Sequence, residues 1–125
     1  MKVARLFDGI DESGAPYFSA GRARIDDLDE RARVRSFLRG GKLVLRTTGR
    51  LVDQLDQSRG KVVPLSFRTD GHWVWSDGVD YYVAEHGVAP EAEFLRYIKA
   101  SRYSAQVPDD AAVADALAAI KNRRR

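Results

Sequence analysis

Along the chain, alternation of apolar and polar positions gives way to helical spacing without a gap between Leu65 and Ile98, LSFRTDGHWVWSDGVDYYVAEHGVAPEAEFLRYI. Upstream, Lys61–Thr69 alternates Val63, Leu65 and Phe67 with Val62, Pro64, Ser66 and Arg68, the period of a strand. Pro64 has no N–H to give a ladder, which suits an edge or a bulge. Asp70-Gly71 is a hairpin signal for a two-residue type I′ turn with positive φ at both positions, and His72–Trp75 is the returning strand. That turn sets Thr69 opposite His72, Arg68 opposite Trp73, Phe67 opposite Val74 and Ser66 opposite Trp75. Alternation then puts Leu65, Phe67 and Val74 on one face, predicted as main core, and Trp73, Trp75, Arg68 and Ser66 on the other.

The next segments read as helices. Ser76 or Asp77 caps a helix over Asp77–His86, with Val79, Tyr82, Val83 and His86 forming one stripe. Gly87 takes the left-handed C′ position, with Val88 packing back on Val83 in a Schellman ending. Pro90 suits N1 of a second helix that buries Phe94, Tyr97 and Ile98. Pro108, followed by Asp109 and Asp110, opens a third with Val113, Leu117 and Ile120 inward.

The first half is less regular. Lys2–Phe7 and Pro16–Ile25 read as antiparallel strands around the turn Asp8–Gly14, with Gly21 at a bulge and Arg22 and Arg24 on a wet face. Asp27 and Glu30 form a capping box for a helix carrying Leu28, Val34, Phe37 and Leu38, which ends at Gly40-Gly41. Lys42–Thr47 is a third strand, and Gly49–Gly60 reads as either a short helical turn or a loop. The sum is ββαβββααα, an α+β fold with an antiparallel sheet in the first 75 residues and three C-terminal helices. A single domain over 1–120 and a disordered basic tail over 121–125 are expected.

Composition narrows the function classes. A chain of 125 residues can bury about 65% of its unfolded surface and hold a core without staples. It has no cysteine, which removes disulfides, thiolate catalysis and Cys-based zinc sites. With His72 and His86 as its only histidines, no metal or cofactor is expected. No apolar leader or membrane-length run of about 20 residues occurs, so a soluble, cytoplasmic protein with no membrane partner is expected. Of the 21 basic residues four lie in the last five positions, leaving 17 against 18 acidic ones in the remainder, a net charge of −1. The +3 of the whole chain is therefore a property of its end, where cations complement a helix dipole. Arginine is far commoner than lysine, as GC-rich coding produces.

Candidate chemistry centres on the tryptophan face. Trp73 and Trp75 either anchor a second core beneath the helices or leave an indole in a cleft bordered by Arg68, His72 and Tyr81. In the cleft reading these five residues form the binding site, with Arg68 within cation–π reach of an indole. No catalytic residues are assigned: Asp70 is explained by its turn, Asp77 by its cap and His86 by the helix end, and no nucleophile elbow, phosphate loop or zinc motif is present. A nucleic-acid surface requires Arg22, Arg24 and Arg46 in one stripe, which needs the second and third strands to be neighbours; against an acidic body this reading ranks third.

The words RTDGHWVW, YY and HGVAPE, spread over residues 61–103, resemble a pattern in small uncharacterised actinobacterial proteins. Some of those proteins look like immunity partners encoded beside polymorphic toxins, and the resemblance implies a protein partner of that kind. The function expected is a non-catalytic protein-binding module, of the immunity type that neutralises a toxin. The alternative is a small-molecule-binding protein or an enzyme of unrecognised type.

Overall fold

The computed structural model describes residues 1–123. The fold is α+β, and its strands are β1 (Lys2–Val3), β2 (Gly9–Ile10), β3 (Pro16–Tyr17), β4 (Lys42–Leu45), β5 (Arg50–Val52), β6 (Lys61–Pro64), β7 (Phe67–Thr69) and β8 (Trp73–Ser76). The helices are α1 (Leu28–Gly40), α2 (Asp77–His86), α3 (Ala92–Ala100) and α4 (Asp110–Arg123). A 3-10 turn, Gln57–Arg59, lies between β5 and β6.

Helix ends follow local chemistry closely. Asp27 accepts the Asp29 N–H at 2.9 Å to start α1, but Glu30 turns away from the cap to take the Tyr103 hydroxyl at 2.9 Å. Leu28 is not in the buried stripe, being 72% exposed. α2 ends at Gly87 with φ +66, a conformation glycine adopts without cost. Its closing bonds, Gly87 N–H to Val83 and Val88 N–H to Tyr82, span one residue more than the Schellman pattern. α3 begins two residues after Pro90, with Glu91 as N-cap. α4 continues through Lys121, Asn122 and Arg123, so these residues of the expected tail are helical, while Arg124 and Arg125 lie outside the described residues.

The strands depart further from local expectation. The largest sheet has the order β1-β8-β7-β4, and β1 joins it parallel to β8, Lys2 opposite Trp73 and Val3 opposite Val74. The hairpin at the N-terminus is instead β2–β3, a separate pair of a strand inside the expected turn and the first two residues of the expected second strand. Lys61–Thr69 breaks after Pro64 into β6, which pairs with β5, and β7, which belongs to the main sheet. The missing N–H of Pro64 is a sufficient reason for the ladder to stop there.

The turn between β7 and β8 is a four-residue loop, not a type I′ turn. Thr69 faces Val74, Arg68 faces Trp75 and Phe67 faces Ser76. Gly71 has φ +96, whereas Asp70 is not among the positive-φ residues. The cause lies in two side chains. Asp70 Oδ1 accepts the N–H groups of His72 and Trp73 at 2.9 and 3.0 Å. Thr69 Oγ1 accepts from Gly71 N–H at 3.0 Å and donates to the Trp73 carbonyl at 2.7 Å. Such side-chain bonds stabilise a wider loop, and β1 pairs through the carbonyls of His72 and Val74, which accept the Lys2 and Ala4 N–H groups at 3.3 and 2.8 Å.

The register moves by two residues, an even number, so each side chain keeps its expected face. Trp73 and Trp75 share one face with Arg68, while Phe67 and Val74 share the other. The relative size of the two cores is reversed. The tryptophan face meets α1 and α3 in the larger cluster with Phe37, Leu38, Phe94 and Ile98. The Val74 face carries a smaller one with Ala116 and Ile120 of α4, flanked by Phe67. Val113 and Leu117 are only half-buried, and Ala116 takes the inward position instead.

Candidate functional site

The proposed indole cleft does not exist. Trp75 is 0% and Trp73 5% exposed. The Trp75 indole N–H donates to the Leu38 carbonyl at 3.0 Å, and its ring lies 5.3 Å from Phe37. Trp73 stacks on Phe94, ring centroids 4.8 Å apart. The cation over an indole is Lys2, 5.5 Å above Trp73. Arg68 instead donates to Asp77 at 2.8 Å and to the Gly41 carbonyl at 3.0 Å. His72 is exposed in the β7–β8 loop, beside the end of α4. Large aromatics between a strand and amphipathic helices have become core, as their area favours.

Arg68 and Tyr81, the other two residues assigned to the site, do come together. They line an open groove of about 370 Å³ between α1 and α2, with Arg35, Arg39, Asp80 and Glu85 along it. Arg35 is held by both oxygens of Asp80, at 2.9 and 3.3 Å, and Arg68 by Asp77. Arg39 has no carboxylate within ion-pair distance among the described residues. The groove therefore presents both signs of charge in fixed positions and, among the described residues, a cation without a carboxylate partner.

Tyr81 links this groove to a polar cluster that sequence reasoning missed. Its hydroxyl donates to Asp53 at 2.6 Å, and the same carboxylate oxygen lies 2.7 Å from His86 Nε2. Asp53 Oδ1 takes the backbone N–H groups of Leu55 and Asp56 at 2.8 and 3.1 Å. Tyr82 accepts the Gln54 N–H at 2.9 Å, so two adjacent tyrosines and a histidine of α2 clamp the loop after β5. Arg59, from the 3-10 turn, adds an ion pair to Glu85 at 2.8 Å. Asp53 is 0% exposed. Burial alone would push its carboxyl up; the hydrogen bonds from Tyr81, His86 and Leu55 outweigh it and hold the pKa down to about 2. Burial, with the Asp53 bond, raises that of Tyr81. The only sequence signal for this cluster was indirect: His86 ends the apolar stripe of α2, so it was bound to face inward.

A second aspartate is buried in the same manner. Asp70, 2% exposed, receives the Tyr97 hydroxyl at 2.5 Å, and burial with this bond pushes the Tyr97 pKa to about 12. Both aspartates spend their acceptors on backbone N–H groups and tyrosines, which makes them fasteners of loops to helices. Among the described residues no group of three or more His, Cys, Asp or Glu side chains is placed to hold a metal ion, and no helix is long and apolar enough to cross a membrane. The arginine stripe required for nucleic acid is not assembled: among the described residues β3 pairs with β2 and not with β4, and the Arg22 side chain is 7% exposed against Asp8.

No family model, curated protein or solved structure matches this chain.

Proposed function

We propose that the chain is a non-catalytic protein-binding module that engages its partner across the α1–α2 groove, and that this partner is a toxin it neutralises. The observation that carries the reading is Tyr81, held by its hydroxyl to buried Asp53 in a groove flanked by Arg35, Arg39 and Arg68. A tyrosine fixed in this way loses little side-chain entropy on binding, and tyrosine and arginine dominate interface hot spots. Fixed charges of both signs suit a partner of complementary pattern and select against others. The toxin identity rests on the resemblance carried by residues 61–103.

The test is co-expression with any toxin-bearing protein encoded by a neighbouring gene. Growth of the host should be restored, and the two proteins should co-purify. Tyr81→Ala and Arg39→Glu should each weaken the complex by ~2 kcal/mol or more, roughly thirtyfold in Kd. Arg39 is exposed and has no ion-pair partner among the described residues, so its substitution should leave the thermal midpoint unchanged. Unrestored growth, or a complex indifferent to both substitutions, overturns the reading.

A further inference from the structure

We propose that a cleft between the β1–β2 connection and the start of α3 binds a small phosphate monoester. The cleft has a volume of about 390 Å³, at the small end of the roughly 300–1,000 Å³ typical of ligand sites. Four cations line it, Arg5, Arg22, Arg96 and Lys99, with two carboxylates, Asp8 and Glu91.

The two carboxylates are already engaged. Glu91 takes the Arg5 backbone N–H at 2.9 Å and its Nε at 3.1 Å. Asp8 takes Arg22 Nη1 at 3.1 Å. Arg22 is built in rather than draped on the surface: its side chain is 7% exposed, Nε donates to the Ala89 carbonyl at 2.9 Å, and its guanidinium lies 5.3 Å from the Phe18 ring. Its Nη2 has no hydrogen-bond partner among the described residues. Arg96 and Lys99 stand three residues apart on α3, on one face, and neither has a carboxylate within 4.0 Å among the described residues. The cleft thus holds two uncompensated positive charges beside a rigid guanidinium with a donor to spare.

A dianion matches that surplus. The planar arginine fork and the point charge of lysine together suit phosphate oxygens. Ala23, Pro90, Ala92 and Leu95 add an apolar wall to the same cleft, which is where the body of an ester would lie. This site is separate from the α1–α2 groove and does not depend on the protein-partner reading.

Phenyl phosphate titrated into the ¹⁵N-labelled full-length protein tests the assignment, with inorganic phosphate, acetate and sodium chloride at matched ionic strength as comparisons. Saturable shifts are expected at the amides of Gly21, Arg22, Ala23 and Ala92 with phenyl phosphate, weaker ones with inorganic phosphate, and none with acetate or chloride. The double variant Arg96→Glu/Lys99→Glu should raise the Kd by about tenfold or more. Both positions are exposed, so the fold is retained, whereas Arg22→Gln strips the partner of Asp8 and is read beside a thermal melt. Shifts that track ionic strength, or binding untouched by the double variant, overturn the proposal. Equal affinity for inorganic phosphate and the ester overturns the choice of an ester.

Discussion

Asp53 is one acidic residue among 18, yet its hydrogen bonds tie the loop after β5 to α2. Its folded pKa of about 2 lies below the ordinary 3.8. A depressed carboxyl pKa means stability present above the unfolded value and lost as pH falls. The contribution should therefore be full above about pH 4 and fade toward pH 2, amounting to ~2 kcal/mol. Asp53→Asn should remove it, flattening the acid limb of a urea-midpoint against pH profile between about pH 4 and 2, and lowering stability at neutral pH by ~2 kcal/mol. An unaltered acid limb would show that the clamp is not what the carboxylate contributes. Asp53 was not legible in advance. Within GRLVDQLDQSRG nothing distinguishes it from Asp56, which lies half-buried three residues later; burial of one and not the other is decided by where Tyr81 and His86 arrive from α2.

At the scale of elements, the β8 strand is the hinge of the packing. Its alternate side chains supply both cores: Trp73 and Trp75 toward α1 and α3, Val74 toward α4. Gly41 explains how α1 approaches so near, since a Cβ there would overlap the Trp75 ring. Trp75→Ala should cost ~3–5 kcal/mol, read as a fall in the urea midpoint at unchanged slope, and should not alter binding by the protein that remains folded. A cost below about 1 kcal/mol would mean the ring is not the anchor its burial implies. The face assignment of both tryptophans was legible from alternation alone, because an error of two residues in the turn leaves parity untouched. The turn type was not, because the Asp-Gly pair is shared by two loop lengths and the choice rests on Thr69 and Asp70 bonding across the loop.

Across the whole molecule, stability is distributed unevenly. The larger core ties α1, α2 and α3 to the sheet, while α4 rests on Ala116 and Ile120 over the opposite sheet face, in a cluster with few fully buried side chains. Local opening should follow that division. Native-state hydrogen exchange should give the amides of α4 a lower opening free energy than those of β8 and α1, and equal protection throughout would contradict it.

What the chain determined by itself was what neighbours in sequence can decide. α2 ends where its glycine places it, α1 begins at Asp27 and ends at the paired glycines, and the sheet faces follow from a period of two. These are interactions within a few residues, with geometry dictated by backbone sterics. What only the tertiary structure decided involves partners far apart: β1 beside β8, β5 beside β6, Asp53 beneath α2, and helices over both indoles. A short strand of two residues has too little pattern to announce its pairing, and a large aromatic on an amphipathic strand is equally suited to core or cleft. Its fate is set by which helix packs above it, through contacts between side chains dozens of residues away.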